Sequence, residues 1–331
     1  MAAIFRAGVL AFALSALGAT ASAQTVTMKF GTATANDDQH QFILIFKEEI
    51  EKATGGRIVV QAFPASQLGA IPRQIEGLQL GTVEACFGPA DFFVGLEPRF
   101  GVFSAPTLFR DRAHAARTVA DPALNKEVLR MLDGKGMTGL GMFALAAHDY
   151  LARTPIRTLE DFKGKKIRVN ATPIEREAMA RLGASAAPMP LNEVMPALQR
   201  GVIDGTRSAL SVLHAFKYYD VSKVATVVND TILIPVAMVS QKFLDGLPAD
   251  LRTAVVEAGA RTQVRAQEWS NNFHRGMVDR WKADGGEIYV MPEAERAKVI
   301  GLLRTVADDV TKTQPAIKAM LDNVRAVAAK Y

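Results

Sequence analysis

Between Val26 and Phe87 the apolar residues change period four times, from two to about 3.6 and back, and this alternation constrains the fold more than any other feature of the sequence. Val26, Met28 and Phe30 alternate as a strand, and Phe42, Ile45, Phe46 and Ile50 then fall on one stripe of a helix predicted over residues 41–54, which Gly55-Gly56 ends. Residues 58–63 read as a second strand, 71–80 as a short helix stopped at Gly81, and 83–87 as a third strand. A β-α-β-α-β order joins parallel strands through helical crossovers, so the fold class is α/β, with helices on the faces of a sheet.

A second series begins near Met137. Residues 138–145 and 166–169 read as strands. Thr172-Pro173-Ile174-Glu175 then carries a capping residue, a proline at the first turn and the acid of a capping box, so a helix is predicted over 173–182 and ended by Gly183. A further strand is expected from Thr226 to Val239, interrupted at Asn229-Asp230. From Ala249 to Ala283 there is no proline and the apolar spacing is helical, which predicts a helix up to ~50 Å long, with Gly259 and Gly276 as its weak points. At 331 residues the chain exceeds what one hydrophobic core ordinarily serves, so two lobes are expected, with the long helix able to bridge them.

The first residues are of a different kind. A short positive start through Arg6, an apolar run from Ala7 to Gly18 and Ala21-Ser22-Ala23 before Gln24 read as a secretory signal peptide over residues 1–23, cleaved after Ala23. A spanning helix needs about 20 apolar residues, and Ser15, Gly18, Thr20 and Ser22 dilute this stretch. The expected product is a soluble exported protein.

Composition excludes several functions. Lys and Arg number 39 against 34 Asp and Glu, a net charge of +5 with no long basic run, which gives nucleic-acid binding no support. The single cysteine, Cys86, excludes an internal disulfide framework and a Cys-rich metal site. Gly134-Lys135-Gly136-Met137-Thr138-Gly139 spells a dinucleotide fingerprint but lies between a helix and a strand, where it reads as a helix-ending turn. The histidines at 40, 114, 148, 214 and 274 give no local ligand spacing, and no nucleophile-elbow, Walker or zincin motif is present. No cofactor or metal is therefore expected.

One constellation remains. Lys163-Gly164-Lys165-Lys166-Ile167-Arg168-Val169, then Gly183-Ala184-Ser185-Ala186-Ala187-Pro188-Met189-Pro190, then Glu193 through Ala197-Leu198-Gln199 to Gly201-Val202-Ile203-Asp204-Gly205 resemble the substrate-binding proteins of TRAP (tripartite ATP-independent periplasmic) transporters. Shorter matches at Ser66-Gln67-Leu68-Gly69, Leu80-Gly81-Thr82, Ala105-Pro106-Thr107-Leu108-Phe109 and Leu247-Pro248 extend the likeness over the mature chain. The resemblance implies two α/β lobes around a ligand cleft, joined by hinge strands and a long helix. Residues 24–145 and 234–273 are then expected in the first lobe, and 146–233 and 274–331 in the second. It also implies that Arg168 forms a two-pronged ion pair with a ligand carboxylate. A guanidinium fork suits that role, and the end of a strand is where open α/β sheets hold ligands. From the residues alone Arg168 reads rather as a solvated basic strand end beside Lys163, Lys165 and Lys166.

Two departures from the family pattern bear on the ligand. Where members carry Asp-Gly-Gln-Glu-Asn-Pro this chain has Asp204-Gly205-Thr206-Arg207-Ser208-Ala209, so Ser208 takes the place of a pocket asparagine beside an added cation. Counting back from Arg168 places His148 where many members have a second pocket arginine. His148 titrates near neutral pH if unperturbed, and a ligand with one carboxylate and a neutral or aromatic body is the expectation. His148 also reads as an ordinary polar residue at a strand edge, and Arg207 as a solvent-facing or interlobe ion-pairing residue. The expected function is a periplasmic receptor that closes on a small organic acid and delivers it to TRAP membrane permease subunits, without enzymatic activity. The alternatives are a secreted enzyme with His148 as acid or base, or a receptor serving another transporter or a sensor kinase.

Overall fold

The computed structural model describes residues 25–331 apart from residue 171, and the expected signal segment lies outside the described residues. Strands β1 (Val26–Thr32), β2 (Ile58–Phe63), β3 (Ala85–Pro89) and β4 (Met137–Met142) come first in the chain. After them come β5 (Ala147–Ala152), β6 (Lys166–Val169), β7 (Ser185–Pro188), β8 (Gly205–Ala209) and β9 (Val224–Ile232). Last are β10 (Pro235–Ser240) and β11 (Glu287–Val290). They form two sheets, ordered β2-β1-β3-β10-β4 and β11-β9-β5-β8-β6-β7. Each sheet belongs to one lobe of a mixed α/β fold.

In each sheet one strand runs against its neighbours: β10 is antiparallel to β3 and β4, and β5 is antiparallel to β8 and β9. These are the strands by which the chain enters a lobe from the other one. The two crossing segments bond to each other, Leu145 N–H to the Leu233 carbonyl and Leu233 N–H to the Ala146 carbonyl, both at 2.9 Å. The lobes thus share a hinge of two paired strands.

The first lobe owes its core to the alternation read from the sequence. Phe42 on the helix Asp38–Thr54 stacks on Phe87 of β3 with ring centroids 4.4 Å apart, and Phe30 of β1 meets Phe46 edge-on at 5.4 Å. That helix starts where the Asp37 carboxylate accepts from the N–H groups of Gln39 and His40, and ends where Gly55 takes a left-handed conformation with φ +59°. In the second lobe the capping box forms as predicted, with Thr172 Oγ1 accepting from Glu175 N–H at 3.1 Å at the head of the helix Pro173–Arg181.

Three expectations are corrected. The strand predicted from Thr226 to Val239 is two strands in different lobes, because the chain crosses at Leu233-Ile234; the irregularity expected at Asn229-Asp230 falls within β9, where Asn229 has φ +55° and the pairing with β5 shifts register. The helix predicted from Ala249 to Ala283 ends at Arg275, about 40 Å along, and Met277–Ala283 is a separate helix after Gly276. Gly259 does not weaken the long helix but lets it lie on β4: a Cβ there would stand 2.9 Å from the Leu140 carbonyl carbon. Of the Gly134–Gly139 segment, Gly134 to Gly136 lie in the turn that precedes β4 and Met137 to Gly139 begin that strand. Finally, the helix Pro315–Ala328 packs on the first-lobe segments Pro98–Ser104 and Arg112–Val119, where His114 Nε2 meets the Ala328 carbonyl at 2.9 Å.

Candidate functional site

A cavity lies between the lobes and is lined from both. The first lobe contributes Gln39, Ile71 and Phe92, and the second Arg168, Asn170 and Ser208, with Leu191, Val212 and Leu233 completing an apolar wall. Its enclosed free volume is about 20 Å³, room for a single water, so anything larger enters only when the lobes part.

Arg168 sits on β6, a short strand paired with β7 and β8, and is 3% exposed. Its Nε donates to the Met189 carbonyl at 3.0 Å, which fixes the plane of the guanidinium. Its two terminal nitrogens make no hydrogen bond among the described residues, which leaves the two-pronged face of the fork for a planar anion. Burial disfavours its charge, yet arginine stays protonated in proteins. The basic strand end is therefore not a solvated one.

Strand alternation separates the neighbouring residues. Ser208 on β8 lines the cavity opposite Asp149 of β5, whereas Arg207 projects to the other face with its register partner Tyr150. Arg207 is 2% exposed, donates through Nη2 to His148 Nδ1 at 2.8 Å, lies 3.7 Å from Asp230 and stands 5.6 Å over the Tyr150 ring. Tyr150 in turn donates to Asp230 at 2.8 Å. Arg207 is thus not solvent-facing, and its direct partners belong to its own sheet, while its charge also acts on Asp91 of the first lobe. Although burial opposes its charge, Tyr150 and Asp230 hold the guanidinium pKa above its ordinary value.

His148 is not at a strand edge, since β5 lies between β9 and β8. Burial, then Arg207 and Arg168, hold its pKa well below the ordinary imidazole value. It does not titrate near neutrality here, and with Nδ1 occupied by Arg207 it is poorly placed as an acid or base. Of the four residues singled out from sequence, Arg168 and Ser208 line the cavity while His148 and Arg207 form a buried network behind it.

The lobes also meet directly. Asn170, two residues beyond Arg168, donates through Nδ2 to Asp91 of the first lobe at 2.6 Å, and Asp91 also accepts from Ser104. Burial raises the Asp91 carboxyl above its ordinary value, with Arg207 and Arg168 pulling it back. Burial and Asp91 likewise push Glu175 up to about 7. Sequence reasoning missed Gln39, Phe92, Asp91 and Asn170. Only Asn170 carried a signal, as the residue on the same side of the chain as Arg168. Among the described residues no group of acidic, histidine or cysteine side chains is placed to hold a metal ion, and no helix is long and apolar enough to cross a membrane.

The sequence matches the family profile described as bacterial extracellular solute-binding protein, family 7, over residues 30–314. It is 34% identical over 317 residues to the C4-dicarboxylate-binding periplasmic protein DctP of Rhodobacter capsulatus, covering 92% of this chain and 93% of that one. It is 30% identical to the 2,3-diketo-L-gulonate-binding periplasmic protein YiaO of Escherichia coli, covering 83% and 80%. Among solved structures, a TRAP periplasmic solute-binding protein of Xanthobacter autotrophicus with bound β-D-galacturonate superposes with a TM-score of 0.83 at 27% identity, covering 90% and 99%. One from Shewanella oneidensis with bound succinate gives 0.84 at 26% identity, covering 92% and 99%.

Proposed function

The chain belongs to bacterial extracellular solute-binding protein family 7, the periplasmic solute-binding proteins of TRAP transporters, and we propose that it takes its solute by a carboxylate held end-on by Arg168. It is a binding protein and not an enzyme. The observation that carries the reading is the Arg168 fork: Nε is tied to the Met189 carbonyl, and the remaining nitrogens stand at an interlobe cavity. The relatives whose names or titles print succinate and galacturonate support a carboxylate as the shared feature. The loaded protein passes its cargo to membrane permease subunits. Its mature form begins at Gln24 after export, and an intact mass that retained residues 1–23 would overturn that part.

The lobes part at the paired crossing strands and at Gly276. Residues 25–145 and 234–273 move as one body and 146–233 with most of 274–331 as the other, while the helix Pro315–Ala328 travels with the first lobe on which it packs. Ser208 supplies a hydroxyl to the bound solute; His148 and Arg207 support the floor without touching it.

A calorimetric and thermal-shift screen of mono- and dicarboxylates tests the clamp. Arg168→Ala is expected to weaken any carboxylate that binds by about 30-fold to several thousand-fold, the usual cost of unpairing a buried charge. Arg168→Lys should fail nearly as badly, because a point charge does not reproduce the fork. A carboxylate that binds wild type and Arg168→Ala equally would show the clamp to be wrong.

A further inference from the structure

Arg168 is the one charged side chain lining the cavity among the described residues. Arg207 lies on the opposite face of β8, where its Nη2 donates to His148 and stands 3.7 Å from Asp230. His148, buried and accepting through Nδ1, supplies no positive charge either. A second carboxylate entering this space would lose its water and meet no counter-charge.

The first lobe contributes an amide to the same cavity. Gln39 lies in the first turn of the helix Asp38–Thr54, is 2% exposed and lines the cavity, and its Oε1 is fully buried without a hydrogen-bond partner among the described residues. Buried polar atoms are almost always paired, so an acceptor left open at the wall of a ligand cavity points to a donor carried by the ligand. A hydroxyl answers it. A carboxylate would set oxygen against oxygen, and the amide turned over could donate to an anion without neutralising it. The remaining wall joins Phe92, Leu191, Val212 and Leu233, which suit an aliphatic body, with Asn170, Asn192 and Ser208, which are uncharged and so give a second carboxylate no counter-charge.

We propose that the site selects short monocarboxylates bearing a hydroxyl remote from the carboxylate, and rejects dicarboxylates, with Gln39 as the residue that reads the hydroxyl. This rests on the Arg168 clamp and adds the identity of the opposite anchor. It sets the chain apart from its C4-dicarboxylate-binding relative. The discrimination is of the kind a site achieves by leaving the wrong ligand's charge unpaired.

Two matched pairs of probes test it by calorimetry on the mature protein: 4-hydroxybutanoate against succinate, and pantoate against 3,3-dimethylmalate. Within each pair a hydroxymethyl group is exchanged for a carboxylate. Wild type should favour the hydroxyl member by at least about tenfold in a pair that binds. Gln39→Leu should erase the advantage of 4-hydroxybutanoate over butanoate, and Gln39→Arg should turn the preference toward the diacid. Because the central comparison uses wild type, a variant that failed to fold would not rescue the idea. A diacid that binds wild type as tightly as its hydroxyl partner overturns the inference, as does a panel from which no monocarboxylate binds. If Arg168→Ala loses that diacid, the clamp survives and only the reading of Gln39 falls; if Arg168→Ala retains it, the clamp falls as well.

Discussion

Arg207 donates through Nη2 to Nδ1 of His148 at 2.8 Å. A guanidinium has no acceptor to offer in return, so Nδ1 carries a lone pair and the imidazole is neutral, with its proton on Nε2. Burial and two nearby guanidiniums act in the same direction. Long-range ¹H–¹⁵N spectra should show His148 as the neutral Nε2–H tautomer with no titration between pH 8 and 5.5. An imidazole that takes up a proton within that interval would contradict the network.

Removing Arg207 should damage the fold more than the site. Arg207→Ala strands Asp230, which is 1% exposed, and breaking one side of a buried ion pair costs roughly 3 to 5 kcal/mol. Urea unfolding should register that loss, while the affinity of the molecules that remain folded changes by less than about threefold. A large affinity loss at unchanged stability would place Arg207 in contact with the solute instead.

The Asn170–Asp91 bond joins the lobes beside the cavity, so it should bias closure. Asn170→Asp sets one carboxylate against another at hydrogen-bonding distance, and like charges in a poorly solvated gap repel strongly. Small-angle scattering should give this variant a larger radius of gyration than wild type at saturating ligand. Affinity alone is a weaker readout, because Asn170 also lines the cavity. Identical scattering curves would remove the contact from the closing mechanism.

Stability should fall as pH rises from 5 to 8. Burial pushes the Asp149 carboxyl up to about 8, and those of Asp37 and Glu175 up to about 7. The folded state keeps protons that the unfolded chain releases above pH ~4. The stabilisation is thus complete below that value and disappears as pH climbs through 7 to 8, by at most ~1.4 kcal/mol per pH unit for each group. His148 opposes this below pH 6.5, where the unfolded chain gains a proton that the folded one refuses. Three acids outweigh one histidine over most of the interval. Asp149→Asn should flatten the decline and raise the melting temperature at pH 8; a melting temperature that climbs from pH 5 to 8 in wild type would show these carboxyls to be ionised.

Local signals carried the fold, and remote ones were lost. Thr172-Pro173-Ile174-Glu175 and Gly55 mark helix ends through bonds made within a few residues, so their helices were legible to within a residue or two at those ends. Apolar spacing records that residues 226–239 are extended but not that the chain changes sheet at Leu233, since both halves are buried. Arg207 looked exposed because its acid, Asp230, is 23 residues away on a strand that lies beside β5 and not beside β8. Arg168 was legible only through a spaced set of residues around it. Gln39 was hidden, because a glutamine in a first turn looks the same whether it faces water or a cavity.

The place of β10 has a consequence for how the molecule comes into being. It is wedged between β3 and β4, so the first sheet has a gap at its middle until the chain has been extended through Ser240. By then every strand of the second sheet except β11 has already been made. A nascent chain that stops short of β10 would carry two unsatisfied strand edges, which are templates for aggregation. Pairings across so much intervening sequence are slow to form. The half that begins first is therefore finished late, and a fragment ending at residue 233 should not yield a separable lobe.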